Sequence, residues 1–320
     1  MTDKQVSIQR EGGGEGGNGR RPIMLAIAGD SGTGKTTLTA GLVEALGRDR
    51  ITSVAADDYH AFDRVERKGL PFTPLNPKCN YMDIMDQHFH LLSMGQPILK
   101  PIYDHDTGEL VRPEYVQPSE FVIVEGLLPL YTKVSRASFD ITVYLDPPED
   151  IRIAWKMRRD TTKRGYTEEQ VREALEKREP ESVEFIRPQR AAADIVVRFS
   201  PIEERGETAE DPLSAYLLLR PTISHPDLTT IFDEDVKEGM HLKLRRDDDG
   251  KPVDSVHIHS YAAREDTKKV EEDIWAELGV DEPVPESLGR IDSDTRDEPL
   301  ALTQLILLYH LIQARQATSD

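Results

Sequence analysis

Five short runs of apolar residues punctuate the first two hundred positions: 23–28, 51–56, 121–126, 140–145 and 194–199. Each is too short for a buried helix and rich enough in Ile and Val to read as a strand. Between them the apolar positions recur at helical spacing. The stretch 36–46 stops at Gly47, 82–94 carries Met82, Met85, Phe89 and Leu92 on one face, and 148–159 ends in a cluster of Lys and Arg. Thr167 to Gln170 has capping-box spacing and starts a charged helix expected to end before Pro180. Strand and helix alternate, so an α/β fold follows, with a mostly parallel sheet covered by helices on both faces. Segments 98–104 and 109–111 flank Asp106-Thr107-Gly108 and read as a hairpin-like excursion.

After position 201 the pattern changes. The acidic stretch 203–211 reads as a linker, and 241–245 with 255–261 alternates in period two around Asp247 to Gly250, predicting a hairpin. Its second strand puts His257 and His259 on one face, read as solvated positions. Segment 265–278 is a surface helix by its charges; 300–314 is apolar on more than one side and belongs in a core or a subunit interface. Expected organisation is a disordered tail (1–21), a core (22–200) with a lid at about 156–180, and a C-terminal hairpin-and-helix extension (201–320) packed on the core.

Composition narrows the function. A net charge of −19 argues against a sequence-independent grip on nucleic acid or on an anionic membrane. Cys79 is the only cysteine, so no intrachain disulfide can form. No signal peptide or spanning segment is evident, and a soluble cytoplasmic protein is expected.

The chemistry gathers where strands end. Gly29-Asp30-Ser31-Gly32-Thr33-Gly34-Lys35-Thr36 satisfies G-x-x-x-x-G-K-[ST] between a strand and a helix. Its backbone N–H groups can curl around phosphate, Lys35 supplies charge, and the Thr36 hydroxyl can ligate Mg²⁺. Asp57 or Asp58, just after the second strand, lies in the ligand crevice of such a sheet. Arg64, Arg67 and Lys68 suit a sugar-phosphate clamp. Glu125, ending the third run, is the strand-end acid that serves Mg²⁺. Lys156, Arg158 and Arg159, then Asp160 and Lys163-Arg164-Gly165, suit a basic lid over phosphates. Tyr103 and His105 sit near the tip of the excursion, His105 without an assigned role.

Taken in order, the motifs GDSGTGKTT, DDYHAFDRVERKG, LKPIYDHDTG, VIVEGLLPLY, AWKMRRDTTKRGYTEE and EKREPESVEFIRPQRAAADIVV resemble the phosphoribulokinase family, nearest its plant and cyanobacterial type. The resemblance covers about 22–199 and resumes weakly at LALTQLILLYHLIQA. It implies a P-loop kinase fold and ATP-dependent phosphorylation of D-ribulose 5-phosphate at its C1 hydroxyl, giving ribulose 1,5-bisphosphate and ADP. ATP and Mg²⁺ would be the cofactors, and a homodimer is expected. Asp57 would be the general base. Gly29, Asp30, Ser31, Gly32, Thr33, Gly34, Lys35, Thr36 and Thr37 would cradle ATP phosphates, with Arg159 and Arg164. His60, Arg64 and Lys68 would hold the sugar phosphate, with Tyr103 and His105 nearby. Thr36, Glu125 and Asp160 would serve the metal, and Lys156, Arg159 and Asp160 would act at the transferring group. Thr33 and Ala55 stand where plant-type members carry the paired regulatory cysteines, so disulfide control is not expected. Leu128 replaces the His of the usual EGLHP, and Glu179 stands where Lys or an uncharged residue is common. The alternatives are a uridine/cytidine kinase-like enzyme, which needs no phosphate clamp, and a non-catalytic ATP-binding regulator.

Overall fold

Uninterrupted apolar runs become central strands because both of their faces are covered. The computed structural model describes residues 20–232, 239–291 and 295–318. In chain order its strands are β1 (Ile23–Ala28), β2 (Ile51–Ala55), β3 (Ile98–Tyr103), β4 (Leu110–Val116), β5 (Phe121–Gly126), β6 (Ile141–Leu145), β7 (Ile195–Ser200), β8 (Ser214–Leu219), β9 (Met240–Arg246) and β10 (Pro252–Ile258). The α-helices are α1 (Lys35–Leu46), α2 (Met82–Ser93), α3 (Lys133–Arg136), α4 (Glu149–Lys163), α5 (Glu168–Glu181), α6 (Leu228–Ile231), α7 (Arg264–Glu277) and α8 (Glu298–Ala317).

One sheet runs β2-β5-β1-β6-β7-β8-β10-β9. The first five strands are parallel, and β8, β10 and β9 continue it antiparallel. On one face Ile23, Leu25 and Ile27 of β1 pack with Leu38 and Leu42 of α1 and with α8. On the other, Met24 meets Met85, Phe89 and Leu92 of α2. β3 and β4 form a separate two-stranded ribbon, packed on the turn that follows β2. Among the described residues no helix is long and apolar enough to cross a membrane.

α8 is buried on nearly all sides from Pro299 to Leu311, capped by Asp297, which accepts from Leu300 N at 2.7 Å. It lies against α1, α7, β1, β8 and β10, so the C-terminal residues complete the main core. Each fully buried Leu or Ile there stabilises by about 1.5–3 kcal/mol.

Several expectations need correction. β8 was not expected beyond the acidic stretch; its inward residues Ala215, Leu217 and Leu219 join the main core. α7 is a surface helix on one side only, since Val270, Ile274 and Trp275 are buried. α5 does not stop before Pro180 but runs to Glu181 and passes into a wide π-turn, Ser182–Ile186. A proline forbids the regular i−4 bond and is tolerated where the helix is already loosening. The expected tail lies outside the described residues as far as position 19, while Arg21 is held by Asp140 at 2.6 Å.

Of the two histidines expected to be solvated, His257 is not, and His259, just past the end of β10, is half-buried. His257 is buried, stacked on His241 of β9 (centroids 4.7 Å apart) and edge-on to Tyr216 of β8 (4.7 Å). Burial, with His241, Lys243, Arg245 and His259 around it, pushes its pKa down to about 3. The unfolded chain therefore binds a proton that the folded chain refuses between pH 6.5 and 3. The stability this histidine confers is complete above pH 6.5 and is lost as pH falls through that window. We expect His257→Gln to lack about 2 kcal/mol of the stability that wild type loses between pH 7 and pH 5, read from urea midpoints. Parallel pH profiles for the two proteins would refute the assignment.

Candidate functional site

Three adjacent strands, β2, β5 and β1, end at one edge, and the polar groups following them meet there. The register pairs Ala28 with Gly126 and Ala55 with Glu125. The phosphate loop leaves β1, Glu125 sits on β5, and Asp57 lies in the short 3₁₀ turn Ala56–Tyr59 after β2. Gly126 cannot be enlarged, because a Cβ there would lie 2.6 Å from Ala56 Cβ and 3.1 Å from Asp57 Oδ1. That close approach lets Leu127 N donate to Asp57 Oδ1 at 3.1 Å, fixing the carboxylate through one oxygen.

In the loop 29–36, Gly32 has φ +91° and its missing Cβ would fall 2.8 Å from Lys156 Cβ on α4. The loop is therefore both left-handed at this point and pressed against the lid. Lys35 Nζ donates to the carbonyls of Gly29 and Asp30, each at 2.8 Å, and its enclosure lowers its pKa. Thr33 Oγ1 donates to Asp30 O at 3.0 Å. The Thr36 hydroxyl donates to Glu125 Oε1 at 3.2 Å, and Thr39 donates to Oε2 at 3.0 Å. Thr36 and Thr37 are exposed at the start of α1, where the helix N-terminus favours anions.

Opposite lies an aromatic and imidazole wall. His60, Tyr103 and His105 stand edge to face, with His60–Tyr103 centroids 4.8 Å apart and Tyr103–His105 5.0 Å. Asn80 Nδ2 donates to the carbonyls of Pro74 and Asn76, so its Oδ1 must accept from His60 Nδ1, at 2.7 Å. His60 Nε2 is then the lone-pair nitrogen. Burial pushes the His60 pKa down to about 4, so the ring is neutral at pH 7.

The lid is organised by Asp160. Its Oδ2 accepts from Lys156 at 2.6 Å; Oδ1 takes Arg159 at 2.8 Å and lies 3.5 Å from Arg164. Burial raises the Asp160 pKa, but the hydrogen bonds from Arg159 and Lys156 outweigh it and hold the carboxyl below its ordinary value. Burial lowers Lys156 to about 8. Arg159 also donates to Ser31 Oγ at 3.1 Å, and Ser182 Oγ donates to Asp30, so both ends of the lid touch the phosphate loop. α5 begins with the expected capping box: Thr167 accepts from Gln170 N, and Gln170 Oε1 accepts from Thr167 N.

The expected clamp is arranged differently. Arg64 donates to the carbonyls of His105 and Asp106, and its N–H bonds Gly108 O, so it staples the excursion beside the site. Lys68 is exposed. Arg67 is the cation turned to the wall, donating to the Tyr103 hydroxyl with its guanidinium 4.7 Å over the ring. Sequence reasoning gave no separate role to Lys100, buried against Asp58, or to Arg178 of α5, which lies in the cleft. Leu128 is core, packed with Leu75, Leu127 and Ile186, and Glu179 is paired with Arg187 at 2.7 Å.

Residues 24–205 match the Phosphoribulokinase / Uridine kinase family. The chain is 37% identical over 214 residues to a phosphoribulokinase of Synechocystis sp., covering 67% of this chain and 64% of that relative. It is 34% identical over 190 residues to a uridine kinase of Anoxybacillus flavithermus, covering 56% of this chain and 86% of the relative. Among solved structures, a phosphoribulokinase from Rhodobacter spheroides shares the fold at TM-score 0.55 and 18% identity, covering 75% of this chain and 91% of the other. A match over more than half the chain, with the phosphate loop, the strand-end acids and the lid all inside it, places this protein in the phosphoribulokinase/uridine kinase family.

Proposed function

We propose that the protein transfers the γ-phosphoryl group of ATP to the C1 hydroxyl of D-ribulose 5-phosphate, releasing ADP and ribulose 1,5-bisphosphate. The observation that carries the reading is Asp57, pinned through one oxygen between the phosphate loop and the His60–Tyr103–His105 wall. Its free oxygen takes the proton of the attacking hydroxyl, and neutral His60 offers Nε2 to a neighbouring sugar hydroxyl. Loop N–H groups and Lys35 receive the nucleotide phosphates, while Lys156, Arg159 and Arg164 bring positive charge from the lid. The Thr36 hydroxyl and the Glu125 carboxylate are touching hard oxygen donors, a set that fits Mg²⁺ bound mainly through substrate phosphates and water. Bound there, the ion neutralises charge on the phosphates. Asp160 has its lone pairs engaged by three cations and serves better as the hub of the lid.

The similarity to a uridine kinase favours a nucleoside acceptor as the second reading. ADP release should be measured with ribulose 5-phosphate, ribose 5-phosphate, xylulose 5-phosphate and uridine. Ribulose 5-phosphate should lead in kcat/KM by at least about tenfold. Preference for uridine would replace our reading, and no turnover of any acceptor would point to a non-catalytic nucleotide binder.

A further inference from the structure

α5 ends beside two neighbouring side chains that reach different parts of the site. Ser182, buried, donates its hydroxyl to Asp30 of the phosphate loop, and Asp30 also accepts from Ser31 N. Glu181, one residue earlier, grips the loop 73–80 instead. Its two oxygens share Thr73 N at 2.9 and 3.2 Å, and they accept from the Thr73 hydroxyl and, at 3.0 Å, from Asn76 Nδ2. Hydrogen bonds to a carboxylate are roughly twice as strong as neutral ones, so this is a firm grip. The helix widens into its π-turn directly after Glu181, and such turns gather at functional positions.

What Glu181 holds is the support of His60. Within the loop, Asn76 N donates to Thr73 O at 3.0 Å and Leu75 N to Thr73 Oγ1 at 3.2 Å. Fixing Thr73 and Asn76 therefore fixes the carbonyls of Pro74 and Asn76 between and beside them. Those carbonyls accept from Asn80 Nδ2, at 3.0 and 2.9 Å, and set which way the Asn80 amide faces. Asn80 Oδ1, 2.7 Å from His60 Nδ1, then sets which ring nitrogen carries the proton. Thr73 and Asn80 are both buried, so a polar group released here loses its partner at a cost.

We infer that Glu181 is a positioning residue for the acceptor: through Thr73, Asn76 and Asn80 it keeps the proton of His60 on Nδ1 and the lone pair on Nε2. The inference rests on the proposed use of that lone pair by the acceptor. A clasp that merely fastened α5 to the loop would be indifferent to the tautomer of a histidine reached through three other residues.

Glu181→Ala in the full chain provides the test. In ¹⁵N NMR of histidine-labelled protein near neutral pH and without ligands, His60 is the signal missing from His60→Gln. Wild type should show it as the Nδ1–H tautomer, and Glu181→Ala should show a mixture of both tautomers. KM for ribulose 5-phosphate should rise about threefold to tenfold, the worth of one hydrogen bond. ATP affinity from equilibrium titration should stay within about twofold, since Ser182 and Asp30 are untouched. An unchanged His60 tautomer overturns the inference. An unchanged acceptor KM beside a lowered melting temperature also overturns it and makes Glu181 a structural clasp, and so does a loss of ATP affinity as large as the acceptor's. Should the alanine variant fail to fold, Glu181→Gln keeps the length but sets an amide NH₂ against one of the donors, and must show the same mixture of tautomers. If wild type turns over no sugar phosphate, the sugar-phosphate reading has failed by itself; the tautomer comparison needs no acceptor and still decides what Glu181 does to His60.

Discussion

Asp57→Asn should lower kcat by about 10²- to 10⁴-fold while leaving ATP affinity within about twofold. Asparagine keeps the shape and can still accept from Leu127 N, now 3.1 Å from Oδ1, so the turn after β2 should hold. On the proposed mechanism, what disappears is the oxygen that would take the hydroxyl proton as the phosphoryl group moves. A base acts in the transition state, so on that mechanism the loss belongs in kcat and not in nucleotide binding. ATP affinity measured by equilibrium titration, beside steady-state kinetics, separates the two. A variant keeping more than about a tenth of wild-type kcat would show that Asp57 is not the base. The neighbouring Asp58 is no substitute, since it points away from the cleft to Lys100 and accepts Tyr103 N at 3.3 Å.

That second carboxylate leads to the other large effect. Lys100 of β3 and Asp58 form an ion pair with both side chains nearly closed to solvent, 7% and 12% exposed. The pair fastens the β3–β4 ribbon, and with it Tyr103, to the turn that carries Asp57. Lys100→Met keeps the length and apolar stem but strands a buried carboxylate, and should destabilise by about 3–5 kcal/mol. Adding Asp58→Asn removes the stranded charge and should restore most of the loss, because a buried pair contributes little net stability over neutral groups. Urea denaturation of the single and double variants measures both numbers. A loss below about 1 kcal/mol for Lys100→Met would mean that water reaches Asp58 and that the ribbon is anchored elsewhere.

Local chemistry was readable from residues alone. The phosphate loop declares itself because its glycines, Lys35 and Thr36 are contiguous and lie between a buried strand and a helix, so no distant partner is needed to recognise them. The five parallel strands were legible for a similar reason: a strand covered on both faces must be apolar throughout. The capping box at Thr167 and the all-round apolar character of α8 are equally local, and both were found. Asp57 and Glu125 could be placed near the loop because carboxyl ends of parallel strands converge, although Asp57 and Asp58 remained equivalent on that argument.

Tertiary structure decided everything that depends on a partner far along the chain. It separated Asp57 from Asp58 by bringing Lys100 to the second and Leu127 N to the first. It turned Arg67 toward Tyr103 and spent Arg64 on the carbonyls of His105 and Asp106, a choice invisible in a run of three cations. It buried His257 against His241 and Tyr216, because β8 extends the sheet and covers positions that alternation alone assigns to solvent. Sequence patterns record what a residue prefers over the next few positions, while the cost of a buried charge is set by groups brought close only when the chain folds.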